Sequence, residues 1–140
     1  MTTRIDREAW VIVYLAGGMS SGWQDKVIDA CGHKRIQFLD PRDHNLTDEE
    51  DYTEWDLWAV KQSDYVFAYM EKDNPGGHGL MLEIGYGMGS MRTLIFIEDE
   101  GDPRTRYYGM ARAVSGYQFV GLDAAIKWFK TALDAHTKDD

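Results

Sequence analysis

Cysteine, proline and basic residues are all scarce in this chain: one Cys, three Pro, and 15 Lys and Arg against 24 Asp and Glu among 140 residues. A lone Cys31 closes no internal disulfide, and residues 1–10 carry charges where a signal peptide needs an apolar run. A reducing, cytoplasmic setting is therefore expected. The net charge of −9 excludes a nucleic-acid polymer as partner, because displacing the counterion atmosphere of a phosphate backbone needs clustered cations. A single phosphate held by backbone N–H groups at a helix start stays compatible with it. Apolar stretches such as residues 11–16 and 94–97 fall far short of the roughly 20 residues of a spanning helix, so no membrane segment is expected.

Several chemistries lack their motifs. His33, His44, His78 and His136 are scattered, with no His-x-Glu, His-Glu-x-x-His or Cys-x-x-Cys spacing, so neither a metal nor another cofactor is expected. No Gly-x-Ser-x-Gly elbow supports a serine hydrolase, and no Gly-Lys-Ser follows the first glycine loop as a P-loop requires. Of the histidines, His78 draws notice because it lies five residues before an isolated acid, Glu83.

What is present is a globular composition, 44% apolar with five Trp, eight Tyr and five Phe, in a length that suits one domain over residues 1–140. Residues 10–16 form a continuous β-branched and aromatic run that ends at Gly17-Gly18, the pattern of a strand buried on both faces. A helix over 23–30 stops at Gly32. Strands are expected at 36–39, 65–70, 93–97 and 117–120. Helices are expected at 52–63, 80–91 and 122–133, with a short one near 108–113. The acidic stretch 42–51 reads as a surface loop, and residues 137–140 as a frayed end.

Strands alternating with helices at short spacing imply βαβ units, hence an α/β, doubly wound parallel sheet of five strands, in the order 2-1-3-4-5. Ligands of such sheets bind beyond the carboxyl ends of the strands where strand order reverses. That edge gathers residues 17–23, 40–43, 71–79 and those from Glu98 onward.

The run Gly79-Leu-Met-Leu-Glu83-Ile-Gly-Tyr-Gly87 places one acid in an apolar first helical turn. The helix dipole favours the ionised carboxylate there and apolar neighbours oppose it. Gly85 and Gly87 leave room for a ring or a backbone to approach. A surface glutamate that merely complements the dipole fits the same spacing. The loop from Tyr14 through Ala16, Gly17, Gly18, Ser20 and Ser21 to Trp23 is placed to meet an anion or a sugar hydroxyl, though Ser20 or Ser21 also fits as a plain helix N-cap. Asp40, Pro41 and Arg42 leave the second strand at the same edge, where Asp40 is either a turn former or a functional acid. Asp56, beside Trp55 and Trp58, either meets a nucleobase or faces solvent.

Taken together, Val13-Tyr-Leu-Ala-Gly17, Asp40-Pro-Arg42, Trp55-Asp56, Ser63-Asp-Tyr-Val66 and Leu82-Glu-Ile-Gly-Tyr-Gly87 resemble the nucleoside 2-deoxyribosyltransferase family, over about residues 11–97. The resemblance implies a flavodoxin-like fold and a homodimer or higher homo-oligomer whose neighbouring subunit completes each site. It implies Glu83 as nucleophile, Asp56 as the helix acid that meets the base, and transfer of 2-deoxyribose between bases. Tyr14, Ala16, Gly17, Gly18, Ser20, Trp23, Pro41, Arg42, Trp55, Gly79 and Tyr86 fall to substrate binding. Family members often carry an Asp six residues before the nucleophile. Here Gly77 holds that position, and Asp73, Asn74, His78 and Asp40 are the substitutes the sequence offers. Related members hydrolyse nucleoside monophosphates and hold phosphate by hydroxyls, for which Ser20, Ser21 and Ser90 stand here.

The expected partners are thus a nucleoside or nucleotide and a free nucleobase. The expected chemistry is retaining cleavage of the N-glycosidic bond through a glycosyl-Glu83. A hydrolase of nucleoside 5′-monophosphates is the alternative, and a nucleotide-binding module without turnover is the rival from outside enzymes.

Overall fold

In a computed structural model, residues 3–138 are described, and they build a five-stranded, all-parallel sheet in the order β2-β1-β3-β4-β5. The strands are β1 (Val11–Gly17), β2 (Ile36–Leu39), β3 (Tyr65–Met70), β4 (Thr93–Glu98) and β5 (Tyr117–Val120). The helices are α1 (Trp23–Cys31), α2 (Glu49–Gln62), α3 (His78–Gly89), α4 (Gly109–Val114) and α5 (Leu122–Thr137), with 3-10 turns at Pro41–Asp43 and Thr105–Tyr107. Strand order reverses between β1 and β3, which pair from Val13 opposite Tyr65 to Gly17 opposite Tyr69.

Alternation along β1 sends its side chains to two different cores. Tyr14 and Ala16 join Leu39, Val66, Ala68, Phe96, Leu80 and Ile84 beneath α2, α3 and α4. Val11, Val13 and Leu15 join Phe67, Ile95, Ile97, Val27, Phe129 and Leu133 beneath α1 and α5. Covered on both faces, β1, β3 and β4 carry the unbroken apolar runs that parallel strands require. No helix among the described residues is long and apolar enough to cross a membrane.

The boundaries differ from the sequence reading most at the start of α2 and the end of α5, while α3 begins and ends two residues earlier than expected. Helix α2 begins at Glu49, three residues before the expected 52, because the Asp48 carboxylate accepts N–H bonds from Glu50 and Asp51 while three acids fill the positive first turn. The stretch 42–51 is therefore a 3-10 turn, a short loop and the start of a helix rather than one surface loop. At the far end, Thr137 does not fray: it ends α5, buried, with its hydroxyl donating to the Leu133 carbonyl at 3.0 Å. Lys138 follows as the cap, and 139–140 lie outside the described residues.

Candidate active site

Helix α3 opens at His78 behind a Gly77 cap in the left-handed region, which makes Glu83 the sixth helical residue, not a first-turn residue as expected. The helix dipole fades within the first turn, so burial decides the charge of this carboxyl. Glu83 is half-buried over the α2 side of the sheet, and the Tyr14 hydroxyl of β1 hydrogen-bonds it. Burial, with the nearby Asp56 charge second, pushes Glu83 from 4.5 up to about 8, against the pull of the Tyr14 bond. Tyr14 is 1% exposed, and its hydroxyl is pushed well above its ordinary value by burial, then by the charges of Glu83, Asp56 and Asp40.

Asp56 reaches this cluster from the second turn of α2. Burial raises its pKa, and the charge and hydrogen bond of His44 work the other way. His44 Nε2 lies 3.3 Å from Asp56 Oδ1, while His44 Nδ1 accepts the Leu46 N–H at 2.9 Å. Trp55 closes the wall: its ring meets His44 edge-on at 4.8 Å and tilts against Tyr14 at 6.4 Å, and its Nε1 donates to the Thr3 hydroxyl at 3.0 Å. On its outer side His44 borders an open depression of about 300 Å³, lined with Met19, Pro41, Arg42, Asn45 and Leu46.

Asp40, buried, is occupied as an ion-pair partner. Arg42 Nε and Nη2 donate to its oxygens at 2.7–3.2 Å, and the Arg42 N–H bonds Oδ1 at 3.0 Å. The same guanidinium also holds Asp25 at 2.8 Å. Arg42 therefore stitches the turn after β2 to α1, and neither oxygen of Asp40 is spare as a proton donor.

The first loop is shaped from below. Trp23 is buried, stacked on Phe67 at 6.1 Å and edge-on to Tyr69 at 5.3 Å, so it belongs to the α1–α5 core and not to the carboxylate cluster. Its Nε1 and the Gln24 amide both donate to the Gly18 carbonyl, at 2.8 and 3.0 Å. A Cβ at Gly17 would meet the Tyr69 carbonyl oxygen at 2.6 Å and the Trp23 ring at 2.9 Å, so only glycine fits there. Gly22 rather than Ser20 or Ser21 caps α1; Ser20 and Ser21 are exposed, and the Ser21 hydroxyl accepts the Trp23 N–H at 3.4 Å.

The remaining expected residues divide. Gly79 and Gly85 face open space and Tyr86 is exposed, whereas Gly87 is buried, and a Cβ there would meet Leu94 at 2.8 Å, so the absent side chain lets α3 lie on β4. Ser90 caps the C-terminus of α3, seven residues and roughly 10 Å past Glu83, at the negative end of the helix. It is not brought to the carboxylates, nor is the exposed His78.

Two groups carry no local signal of a role at this site. His44 lay inside the stretch read as surface loop. Arg104, clamped by Asp102, sends its guanidinium to the carbonyls of Glu71, Lys72, Asn74 and Gly76 and fixes the loop that leads into α3. The loop ends at Gly77, φ 103°, where a Cβ would fall 2.5 Å from Met70 Cε. A Gly77→Asp change, which writes in the acid the family resemblance calls for, is therefore expected to lower stability by about 1–3 kcal/mol in urea titrations without raising base release. A gain in activity would show that the loop tolerates the acid after all.

Comparison with known proteins bears on the fold and the family. No curated protein matches the chain by sequence. Among solved structures, a CMP N-glycosidase of Clostridium botulinum superposes with a TM-score of 0.63 at 16% identity, covering 86% of this chain and 98% of that one. A 2-deoxyribosyltransferase from Leishmania mexicana superposes at 0.66 and 19% identity, covering 86% and 97%. At such identities these two establish the shared fold. A family model described as nucleoside 2-deoxyribosyltransferase like matches residues 10–100, well over half of the sequence, and the chain belongs to that family.

Proposed function

We propose that this protein cleaves the N-glycosidic bond of a 2-deoxyribonucleoside through Glu83 and passes the sugar to another purine or pyrimidine. The observation that carries the reading is the half-buried Glu83 carboxyl, hydrogen-bonded by Tyr14 and lying within electrostatic reach of Asp56. Two acids whose pKa values are both raised hold a proton between them near neutral pH, because the second ionisation puts two negative charges in one poorly solvated place. At rest the proton sits on Glu83, and the reactive arrangement is the one in which it has passed to Asp56, leaving Glu83 the ionised nucleophile and Asp56 the acid. A Glu83 oxygen then bonds the anomeric carbon, the bond from that carbon to the base breaks, and the base nitrogen takes its proton from Asp56. The acceptor base reverses these steps, and retention follows from two displacements.

Asp40 and Arg42 keep the turn beside the pocket in shape. Trp55 and Pro41 wall it, and the loop from Ala16 to Ser20 meets the sugar. The exposed apolar side chains Leu82, Met88 and Met91 on and just after α3, with Met110 on α4, are read as the surface a second copy covers. A mass of one chain in light scattering removes that part of the reading.

A nucleoside monophosphate N-glycosidase is the second reading, favoured by the superposition on the CMP enzyme. One panel of nucleosides and nucleotides, with and without a free acceptor base, separates the two. Exchange requiring the acceptor supports transfer, and strict dependence on a 5′-phosphate with no acceptor supports hydrolysis. Incubation with a 2-fluoro nucleoside is expected to add one sugar mass to the Glu83 peptide. Binding of the panel with neither release nor adduct leaves only the non-catalytic module.

A further inference from the structure

Resting on that reading, we propose that His44 is the positioning residue of the acid: a ring held in one tautomer by the Leu46 N–H that aims its Nε2–H at Asp56 and so fixes which oxygen of Asp56 faces the departing base.

The geometry argues it in three steps. First, the Leu46 backbone N–H can only donate, so the ring nitrogen 2.9 Å away, Nδ1, must offer its lone pair. In the neutral ring the proton then sits on Nε2, the nitrogen 3.3 Å from Asp56 Oδ1. Second, the ring does not wander: His44 is 6% exposed, its face is met edge-on by Trp55, and it follows directly on the 3-10 turn that Asp40 and Arg42 lock. Third, with Oδ1 engaged by His44, Oδ2 is the oxygen left to carry and deliver the proton. The loop before α3 has no acid at position 77 and its Asp73 is exposed, and Asp40 is tied to Arg42, so Asp56 is the acid that needs orienting.

The proton count closes. As the bond from the anomeric carbon to the base nitrogen breaks, the nitrogen keeps the electron pair and receives the Asp56 proton. A Glu83 oxygen supplies the new bond to carbon, and the His44 proton stays on Nε2. The groups facing Asp56 from neighbouring elements are His44 from the turn after β2, Glu83 from α3 and Tyr14 from β1, with Asp40 acting on Tyr14 from further off. Of these, His44 is the one that lowers the Asp56 pKa.

The test compares His44→Leu, which removes the donor, with His44→Gln, which keeps an N–H at the Nε2 position, in the full chain on the substrate the panel identifies. His44→Leu is expected to lose roughly 10–100-fold in kcat, part of what a positioned acid supplies, with KM within about threefold. Its basic pH limb is expected to move upward, since Asp56 loses the partner that holds its pKa down. His44→Gln is expected to recover most of the loss and the limb. If both variants fall alike with an unmoved profile, or neither falls, His44 positions nothing. Should His44→Leu not fold, ring nitrogen NMR of the parent at pH 9 decides: protonation at Nε2 is expected, and protonation at Nδ1 overturns the proposal. A parent chain that releases no base sinks the glycosidic reading together with the proposal, whereas an active parent with an unshifted His44→Leu profile sinks the proposal alone.

Discussion

Glu83→Gln is expected to remove base exchange and base release by at least about a thousandfold while leaving the protein folded and, near pH 8, more stable than the parent. The two halves of this result share one cause. The glutamine amide has nearly the carboxyl's shape and can still meet the Tyr14 hydroxyl, but it does not form a glycosyl ester, so the first displacement has no nucleophile. The amide also carries no charge, so the cost of ionising a group walled by Tyr14, Asp56 and apolar neighbours disappears. Chromatography of thymidine and adenine mixtures reads the first half and urea unfolding the second. Undiminished exchange in Glu83→Gln would remove Glu83 from the chemistry altogether.

Why Glu83 was legible and His44 was not is a matter of where each signal lies along the chain. Glu83 interrupts an apolar helical run, and a lone acid in such a run is visible within a nine-residue window. The strands were legible for the same local reason: β1, β3 and β4 are buried on both faces and so spell themselves as apolar runs, from which alternation with helices gives the parallel order 2-1-3-4-5. His44 sits among Arg42, Asp43, Asn45 and Thr47, a polar neighbourhood that reads as solvated, and its burial comes from Trp55 eleven residues away. The start of α2 is spelled out in Asp48, an N-cap followed by three acids, but the same run of negative charge also has the composition of a solvated loop. Trp23 runs the other way. An aromatic beside a glycine loop at the ligand edge reads as a pocket wall, yet its ring turns to the other face of the sheet, where Phe67 and Tyr69 receive it. Arg104, which holds carbonyls 28–33 residues upstream, left no local trace at all.

Stability is expected to fall as pH rises from about 5 to about 8, and most of the fall is expected to be lost in Glu83→Gln. Glu83 stands at about 8 in the folded chain against 4.5 ordinarily, so between those values the folded state holds a proton that the unfolded state has released. More protons bound when folded means stability declines with rising pH, and the decline ends once pH passes the folded value. Asp56, raised by burial, contributes in the same direction from its own ordinary value of 3.8. Asp102, lowered by its hydrogen bonds to Arg104 and Tyr108 in spite of its burial, works oppositely: its contribution is present above the ordinary carboxylate range and is lost in acid. The two slopes place maximal stability on the acid side of neutrality. The Glu83 contribution is on the order of a few kcal/mol, or on the order of 10 °C in Tm for a chain of this length. Melting curves of parent and Glu83→Gln across pH 4–9 isolate it, because every other titrating group is common to both. Parallel curves would mean that Glu83 ionises freely in the folded protein, and an acid that ionises freely leaves no shared proton for the departing base.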